Sequence, residues 1–406
     1  MGKAEVPRQQ DILGTADNVI PFSRGPVTTT GMGAPAVVAG SMRRRRWTIN
    51  GDFVALNTTG VARYAREVTL ALDALITEGH PLARDLSLDM VAPRPAQLPL
   101  RAIAVRVVPE YSKPRLPQFW VQAQLPRHVP GGLLSFCNLA PVTVKHHIVC
   151  IHDLHTRLMP DSYGRLFRWA HRLILPLLGR RAAHLTTVSQ LSRQHLVSYG
   201  VAPADKITVT YNGSDHAAKW NAGRSNLRSE RRYVLCLGRP QKYKNLELLA
   251  RLAPLLDSMG LDLWMAGDAD ETAVSSIVSP VPSNLRLLGR ISDDDFKKAL
   301  EGALCLLFPS RIEGFGLPAV EAMASGCPVV ASTAPCLPEV CGQGALYADP
   351  DDLGAWADAV GSLRFNPKVR QFFVEAGLKQ ASRYSWRGIA ETYLQLMAEV
   401  DAESAE

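Results

Sequence analysis

Short apolar runs alternate with stretches of helical period along this chain, and the alternation is interrupted once. In the first half, segments 47–50, 86–91, 103–108, 147–151, 185–188 and 207–210 read as strands, with helices over 61–75 and 163–184. Val61, Tyr64, Ala65, Val68, Leu72 and Leu75 recur at three- and four-residue spacing, so they share one helical face. The polar segment 217–230 reads as a linker. A second set follows, with strands over 233–237, 261–266, 285–288, 304–308 and 329–331 and helices over 245–259, 293–301 and 386–400. Parallel strands need helix-length crossovers, so this alternation predicts an α/β chain with two Rossmann-like halves facing a cleft. Ligands in such sheets bind beyond the carboxyl ends of the strands.

The chain has 406 residues, enough for two such domains. The expected division is an extension over 1–41, a first domain over 42–216, the linker 217–230, and a second domain over 231–385. A terminal helix and tail over 386–406 is expected to pack back toward the first domain. Residues 1–41 are rich in Gly, Pro, Thr and Ala and are expected to be disordered. They lack the apolar core of a signal peptide, and no apolar run approaches the ~20 residues that span a bilayer. The seven cysteines include no C-x-x-C pair and several sit in apolar runs, which predicts buried free thiols in a reducing cytoplasm.

Chemistry concentrates in the stretch from Pro309 to Val330. Glu313 and Glu321 are separated by seven residues, Gly-Phe-Gly-Leu-Pro-Ala-Val. Gly314 and Gly316 flank Phe315 and let the backbone approach a ligand. Pro318 suits a helix start, and Gly326-Cys327-Pro328 suits its end. The N–H groups and dipole at that start favour an anion such as a diphosphate. Upstream, Leu237-Gly-Arg-Pro-Gln-Lys-Tyr-Lys-Asn-Leu follows a strand, so Arg239 and Lys244 fall on a loop at the cleft mouth. Arg can clamp phosphate through two donors, and Lys acts as a point charge. There is no Walker motif, no G-x-G-x-x-G after a strand, no H-E-x-x-H and no G-x-S-x-G, which disfavours NTPases, dinucleotide oxidoreductases, zinc proteases and hydrolases. The aspartates 293–295 read as a helix opening rather than a metal site.

The Glu313–Glu321 stretch resembles the E-x7-E signature of retaining, nucleotide-sugar-dependent glycosyltransferases of the GT-B fold, more specifically glycosyltransferase family four. The resemblance covers residues 47–400 and implies that Glu313 contacts the sugar near the transferring carbon, while Glu321 contacts the ribose. Gly238, Arg239, Lys244 and Asn245 match the family's phosphate-binding loop, with Pro240 a departure and Lys242 an added cation. Backbone groups around Gly314, Phe315, Gly316 and Leu317 are implied to hold the diphosphate. In the first half, Asn57-Thr-Thr-Gly60-Val-Ala-Arg63-Tyr64 resembles the family's glycine loop, so Gly60 is implied to approach the donor. His152-Asp153 resembles the family's His-Asp after a strand, and His152 is implied to face the donor sugar. Asn212-Gly213 before Asp215 resembles its hinge element, with Ser214 replacing Val.

These likenesses imply a cytoplasmic hexosyltransferase that needs neither metal nor cofactor and takes a nucleoside diphosphate sugar, GDP-mannose first. Its implied acceptor is a glycan or lipid-linked glycan in exopolysaccharide or lipopolysaccharide synthesis. A sugar synthase or epimerase on the same fold is the alternative. A nucleic-acid-binding protein is remote, because no aromatic-interleaved basic motif stands out. Charge is uneven: residues 101–215 carry 14 Lys and Arg against 5 Asp and Glu, and residues 231–406 carry 17 against 23. Arg165, Arg168 and Arg172 would share a helical face. A basic first half predicts peripheral contact with the anionic inner face of a membrane.

Overall fold

Thirteen strands among the described residues form two sheets, and every pairing is parallel. The computed structural model describes residues 45–56, 59–111, 118–138 and 140–404. The extension 1–41 expected to be disordered, and Asn57 and Thr58 of the glycine loop, lie outside the described residues.

The first lobe contains β1 (Arg45–Asn50), α1 (Gly60–Thr77), β2 (Leu86–Ala92), β3 (Ala104–Val107), β4 (Gly132–Ser135) and β5 (His147–Cys150). It continues through α2 (His155–Leu158), α3 (Arg165–Arg181), β6 (His184–Thr187), α4 (Gln190–Ser198) and β7 (Ile207–Val209). The second lobe contains β8 (Tyr233–Gly238), α5 (Leu246–Ser258), β9 (Asp262–Gly267), α6 (Glu271–Ser275), β10 (Leu285–Gly289), α7 (Asp293–Gly302) and β11 (Leu306–Phe308). It ends with α8 (Leu317–Ala324), β12 (Val329–Ser332), α9 (Cys336–Cys341), β13 (Ala345–Ala348), α10 (Leu353–Phe365) and α11 (Pro367–Ala381). The last helix, α12, spans Trp386–Glu403.

The strand orders are β3-β2-β1-β4-β5-β6-β7 and β10-β9-β8-β11-β12-β13. Both are doubly wound, and the order reverses between β1 and β4 and between β8 and β11. At such a reversal, loops leave the sheet in opposite directions and open a crevice. The loops after β8 and β11 carry Arg239, Lys244 and Glu313, so the second-lobe site lies at this point. Strands β4, β5, β11 and β12 are buried along their whole length. Their apolar runs therefore lack the alternation of a half-exposed strand.

β4 is a central strand that the apolar pattern does not announce. A Cβ on Gly132 would lie 2.4 Å from the Trp47 ring, and one on Gly131 would lie 2.2 Å from the Arg46 carbonyl oxygen. Close approach to β1 requires glycine at both positions, and glycine is what hides a strand in a sequence. β13, α4, α10 and α11 are likewise absent from the expected set.

The chain passes between the lobes twice, and the two passages lie side by side. Ser214 N–H donates to the Tyr384 carbonyl at 3.0 Å, and Ser214 Oγ donates to the Ala381 carbonyl at 3.0 Å. Trp386 N–H donates to Asp215 Oδ1 at 3.0 Å. A Cβ on Gly213 would sit 2.5 Å from Trp386 N, so this crossing also requires glycine. α12 then returns to the first lobe and packs on α1. There Tyr393 Oη lies 2.9 Å from Tyr64 Oη and 2.7 Å from Thr186 Oγ1, and Tyr64 Oη lies 2.7 Å from Thr210 Oγ1.

The far end of α12 is held by one carboxylate. Asp401 accepts from Arg45 Nε at 2.5 Å, from Trp47 Nε1 at 3.0 Å and from His146 Nε2 at 2.8 Å. Burial works against its ionised form, but the three donors outweigh burial and hold its pKa below the usual range. A depressed folded pKa contributes stability that is present above the unfolded value near 4 and is lost as pH falls through the folded value. Asp401→Ala is expected to lower the unfolding free energy by about 2 kcal/mol at pH 7. The gap from the wild type should close below about pH 4. Denaturant unfolding at both pH values checks this, and equal stability at pH 7 would remove Asp401 from its role as clamp.

Candidate active site

Beyond β8 the chain makes a single 3-10 turn over Lys242–Lys244 and then enters α5 through Asn245, whose φ is +56°. Asn245 Nδ2 anchors this corner by donating to the Pro350 carbonyl at 2.8 Å. The loop beyond β11 is tied to the same corner, because Arg311 N–H donates to the Tyr243 carbonyl at 2.7 Å. These two loops place Lys244 Nζ 2.5 Å from Glu313 Oε1. The ammonium also lies 5.2 Å from the Tyr243 ring centroid and 5.5 Å from that of Phe308. A charge pair with aromatic walls is weakly screened and points in a fixed direction. Arg239 is half-buried on the same loop, and no hydrogen bond or ion pair among the described residues engages it. Its charge reaches Tyr243 and Asp268.

Gly316 caps α8 with φ +93°, and a Cβ there would lie 2.7 Å from Leu337 Cδ2. No side chain caps this helix start, with Leu317 first and Pro318 second, so its N–H groups remain available to an anion. Phe315 is buried against Tyr211 and Tyr384, and Leu317 is buried as well. Both offer a ligand their backbone rather than their side chains.

The first lobe meets this loop directly. A Cβ on Gly314 would be 3.3 Å from Asp153 Oδ2 and from the His152 carbonyl oxygen. The imidazole of His152 is turned inward. Its Nε2 donates to the Phe136 carbonyl at 2.8 Å, and its ring sits edge-on to Tyr64 at 4.9 Å. Burial opposes a charged ring there, but Cys150, the Phe136 carbonyl and Asp153 together raise its pKa. The ring thus orients the turn, and Asp153 is what faces the second lobe. Gly60 is the exposed first residue of α1, after Thr59, whose Oγ1 accepts from Ala62 N–H at 3.3 Å.

Two phenols complete the cluster. Tyr243 is pushed up to about 12, chiefly by burial and then by Glu313 and Asp153. Tyr163 is raised by burial and by Asp153, Tyr243 and Glu313. Both stay protonated at neutral pH and can donate to a sugar hydroxyl. Asp153, Tyr163 and Tyr243 were not among the expected site residues. The His-Asp pair signals Asp153, whereas nothing in the local pattern signals the tyrosines.

Glu321 sits deeper on α8 and is already engaged. Trp386 Nε1–H donates to His216 Nδ1 at 2.9 Å, which leaves the His216 proton on Nε2. That Nε2–H donates to Glu321 Oε1 at 2.9 Å. Arg63 of α1 places Nε 3.4 Å from the same oxygen and pairs with both oxygens of Asp293, at 2.5 and 3.0 Å. Its guanidinium also lies 5.4 Å from the Trp220 ring centroid. A first-lobe cation therefore reaches two second-lobe carboxylates. A cavity of about 580 Å³ opens beside this bridge, lined by Phe53, Arg63, Arg66, Arg94, Trp220 and Asp293 among others. Its lining excludes Lys244 and Glu313, where the Gly314 loop closes on Asp153. Among the described residues, no group of three or more His, Cys, Asp or Glu is placed to hold a metal ion.

The family description Glycosyltransferase Family 4 matches residues 58–218, and Glycosyl transferases group 1 matches residues 231–365. The O-antigen chain mannosyltransferase B of Escherichia coli is 30% identical over 261 residues, covering 61% of this chain and 68% of that protein. The GDP-mannose:cellobiosyl-diphosphopolyprenol alpha-mannosyltransferase of Komagataeibacter xylinus is 25% identical over 339 residues, covering 78% of this chain and 84% of that protein. Among solved structures, the sucrose-phosphate synthase of Thermosynechococcus elongatus superposes with a TM-score of 0.69 at 19% identity, over 89% of this chain and 100% of that one.

Glu321→Ala would strand the His216 Nε2–H and leave Arg63 with Asp293 alone. The ligand-free variant is expected to lose about 2 kcal/mol of stability. Thermal melting of the ligand-free protein checks this, and a melting point equal to the wild type would show the bridge to be structurally idle.

Proposed function

The chain belongs to glycosyltransferase family 4, and we propose that it transfers mannose from GDP-mannose, with retention of configuration, to a lipid-linked glycan in cell-surface polysaccharide synthesis. The single observation that carries the reading is the Lys244–Glu313 pair, held at 2.5 Å where the second sheet reverses its order. The names of the relatives support the sugar, the base and the lipid carrier.

In this reading the diphosphate lies at the uncapped start of α8, between Arg239 and Lys244. Charge builds on the diphosphate as the glycosidic bond breaks. Fixed cations and backbone N–H groups stabilise that charge without reorganising. Lys244 is then shared between Glu313 and phosphate. Glu313 holds the sugar hydroxyls and faces the positive charge that develops at the transferring carbon. The departing diphosphate oxygen, on the same face as the incoming acceptor hydroxyl, takes the acceptor proton, which gives retention. Tyr243 and Tyr163 donate to sugar or acceptor oxygens. His152 acts as a positioning residue, because its ring fixes the turn that sets Asp153 against Gly314. Gly60 lets the first lobe approach the donor. Glu321 receives the ribose after Arg63 yields its share of the carboxylate. No metal or cofactor enters these steps.

Glu313→Gln and Lys244→Ala are each expected to lower turnover by about 100-fold or more in protein that still folds. Near-normal turnover in both folded variants would sink the site assignment. A panel of nucleotide sugars separates the finer points. GDP-mannose should be consumed fastest, and the NMR spectrum of the product should show the donor's anomeric configuration. Preference for a UDP-hexose would replace the donor while leaving the site intact, and an inverted product would move Asp153 into the role of base.

A further inference from the structure

The helix α3 turns a row of large apolar side chains outward. Leu166 is 87% exposed, Trp169 68%, Leu173 52% and Leu177 44%. Spacings of three, four and four residues align these side chains in one stripe along the helix. His171, Leu175 and Leu178 face the core instead. The other tryptophans are buried or half-buried, so Trp169 is the exception in this protein. The expectation of an arginine face is thus altered. The outward stripe is apolar, with Arg165 and Arg172 exposed along one flank, Arg168 half-buried behind them, and Arg180 and Arg181 exposed near the helix end.

The charges identify the partner. α3 contains no acidic residue, and none of its five arginines has an ion-pair partner among the described residues. Arg172 crowds Arg157 closely enough to help lower the latter's pKa, after burial. Just ahead of the helix Asp161 is exposed, and Asp153 acts on the buried His171 from the cleft side. A symmetric contact through α3 would set arginines of one copy against arginines of the other. A surface of fixed negative charge over an apolar interior meets both features, with leucines at the acyl boundary, tryptophan at the headgroup level and arginines on phosphates.

The position of α3 connects this face to the chemistry. Tyr163, two residues ahead of it, stacks on Phe167 at 5.9 Å and shares its electrostatic environment with Asp153, Tyr243 and Glu313. We propose that α3 lies in the headgroup region of an anionic bilayer and so brings the cleft to an acceptor anchored in that bilayer. This rests on the reading of the acceptor as lipid-linked. No described helix is long and apolar enough to cross a membrane, so the contact is interfacial.

The test uses the full chain with vesicles of phosphatidylcholine alone or mixed with phosphatidylglycerol. The wild type should sediment with the mixed vesicles at low salt and progressively less as salt rises. Its tryptophan emission should shift to the blue as Trp169 leaves water. The pair Trp169→Ser with Leu173→Ser should reduce partitioning at least about tenfold. The pair Arg165→Glu with Arg172→Glu should remove the preference for anionic lipid. Neither pair should change melting or hydrolysis of nucleotide sugars by water. Absent binding at low salt, or full binding by the Trp169 and Leu173 double variant, overturns the proposal. A vesicle-free dimer that this variant abolishes would assign the face to a second copy of the chain. Wild-type protein that binds vesicles but turns over no nucleotide sugar would instead count against the proposed function alone.

Discussion

The side-by-side passage of residues 211–216 and 381–386 is the constraint on which the cleft depends. Gly213 lets Trp386 approach to a distance that no Cβ permits, and Asp215 and Ser214 then hold the crossing through backbone groups of the returning chain. With this crossing fixed, α12 has one place to go, onto α1. Its buried Tyr393 hydroxyl closes a network with Tyr64, Thr186 and Thr210 in which each oxygen has a partner. A satisfied buried network fixes orientation, because any sliding of α12 would leave several polar atoms unpaired at once.

From that frame one first-lobe cation reaches across to second-lobe carboxylates. The second lobe supplies the carboxylates Glu313, Glu321 and Asp293, and the first lobe supplies Arg63. Each carboxylate near the cleft already has a cationic or N–H partner in the ligand-free protein. In the proposed reading, a bound donor exchanges partners with them and avoids exposing bare charge. This exchange is less costly than desolvating an unpaired carboxylate, and it leaves the site ordered beforehand. His216 has a particular part in it. Trp386 fixes its tautomer from the crossing itself, so the geometry of the hinge is transmitted to Glu321 through two hydrogen bonds.

Much of this was legible in the chain before folding. Apolar runs and helical periodicity located most strands of both sheets, because a strand buried on both faces needs an unbroken apolar run. β4 escaped because Gly132 serves a close contact with Trp47, and Gly131 before it one with the Arg46 backbone, and neither carries a strand signal of its own. Gly314 and Gly316 were readable as places of close approach, and the structure gives them specific neighbours, Asp153 and Leu337. The helix over 163–184 was readable too, with its arginines, leucines and tryptophan interleaved at helical spacing. Periodicity reports which side chains share a face, and it does not report which face meets the core.

The sequence by itself determined the α/β class, the two halves, the loop that carries Glu313 and the cations that accompany it. These follow from local patterns: residue periodicity, turn chemistry and motif spacing act within a few neighbouring residues. The tertiary structure alone decided that Lys244 would meet Glu313, that Arg63 would span the cleft to Glu321, that the His152 ring would turn inward while Asp153 faced outward, and that the apolar stripe of α3 would be left uncovered. Each of these joins residues tens to hundreds of positions apart or depends on what packs against a face. Such contacts are set by the packing of whole elements, and no local spacing encodes that.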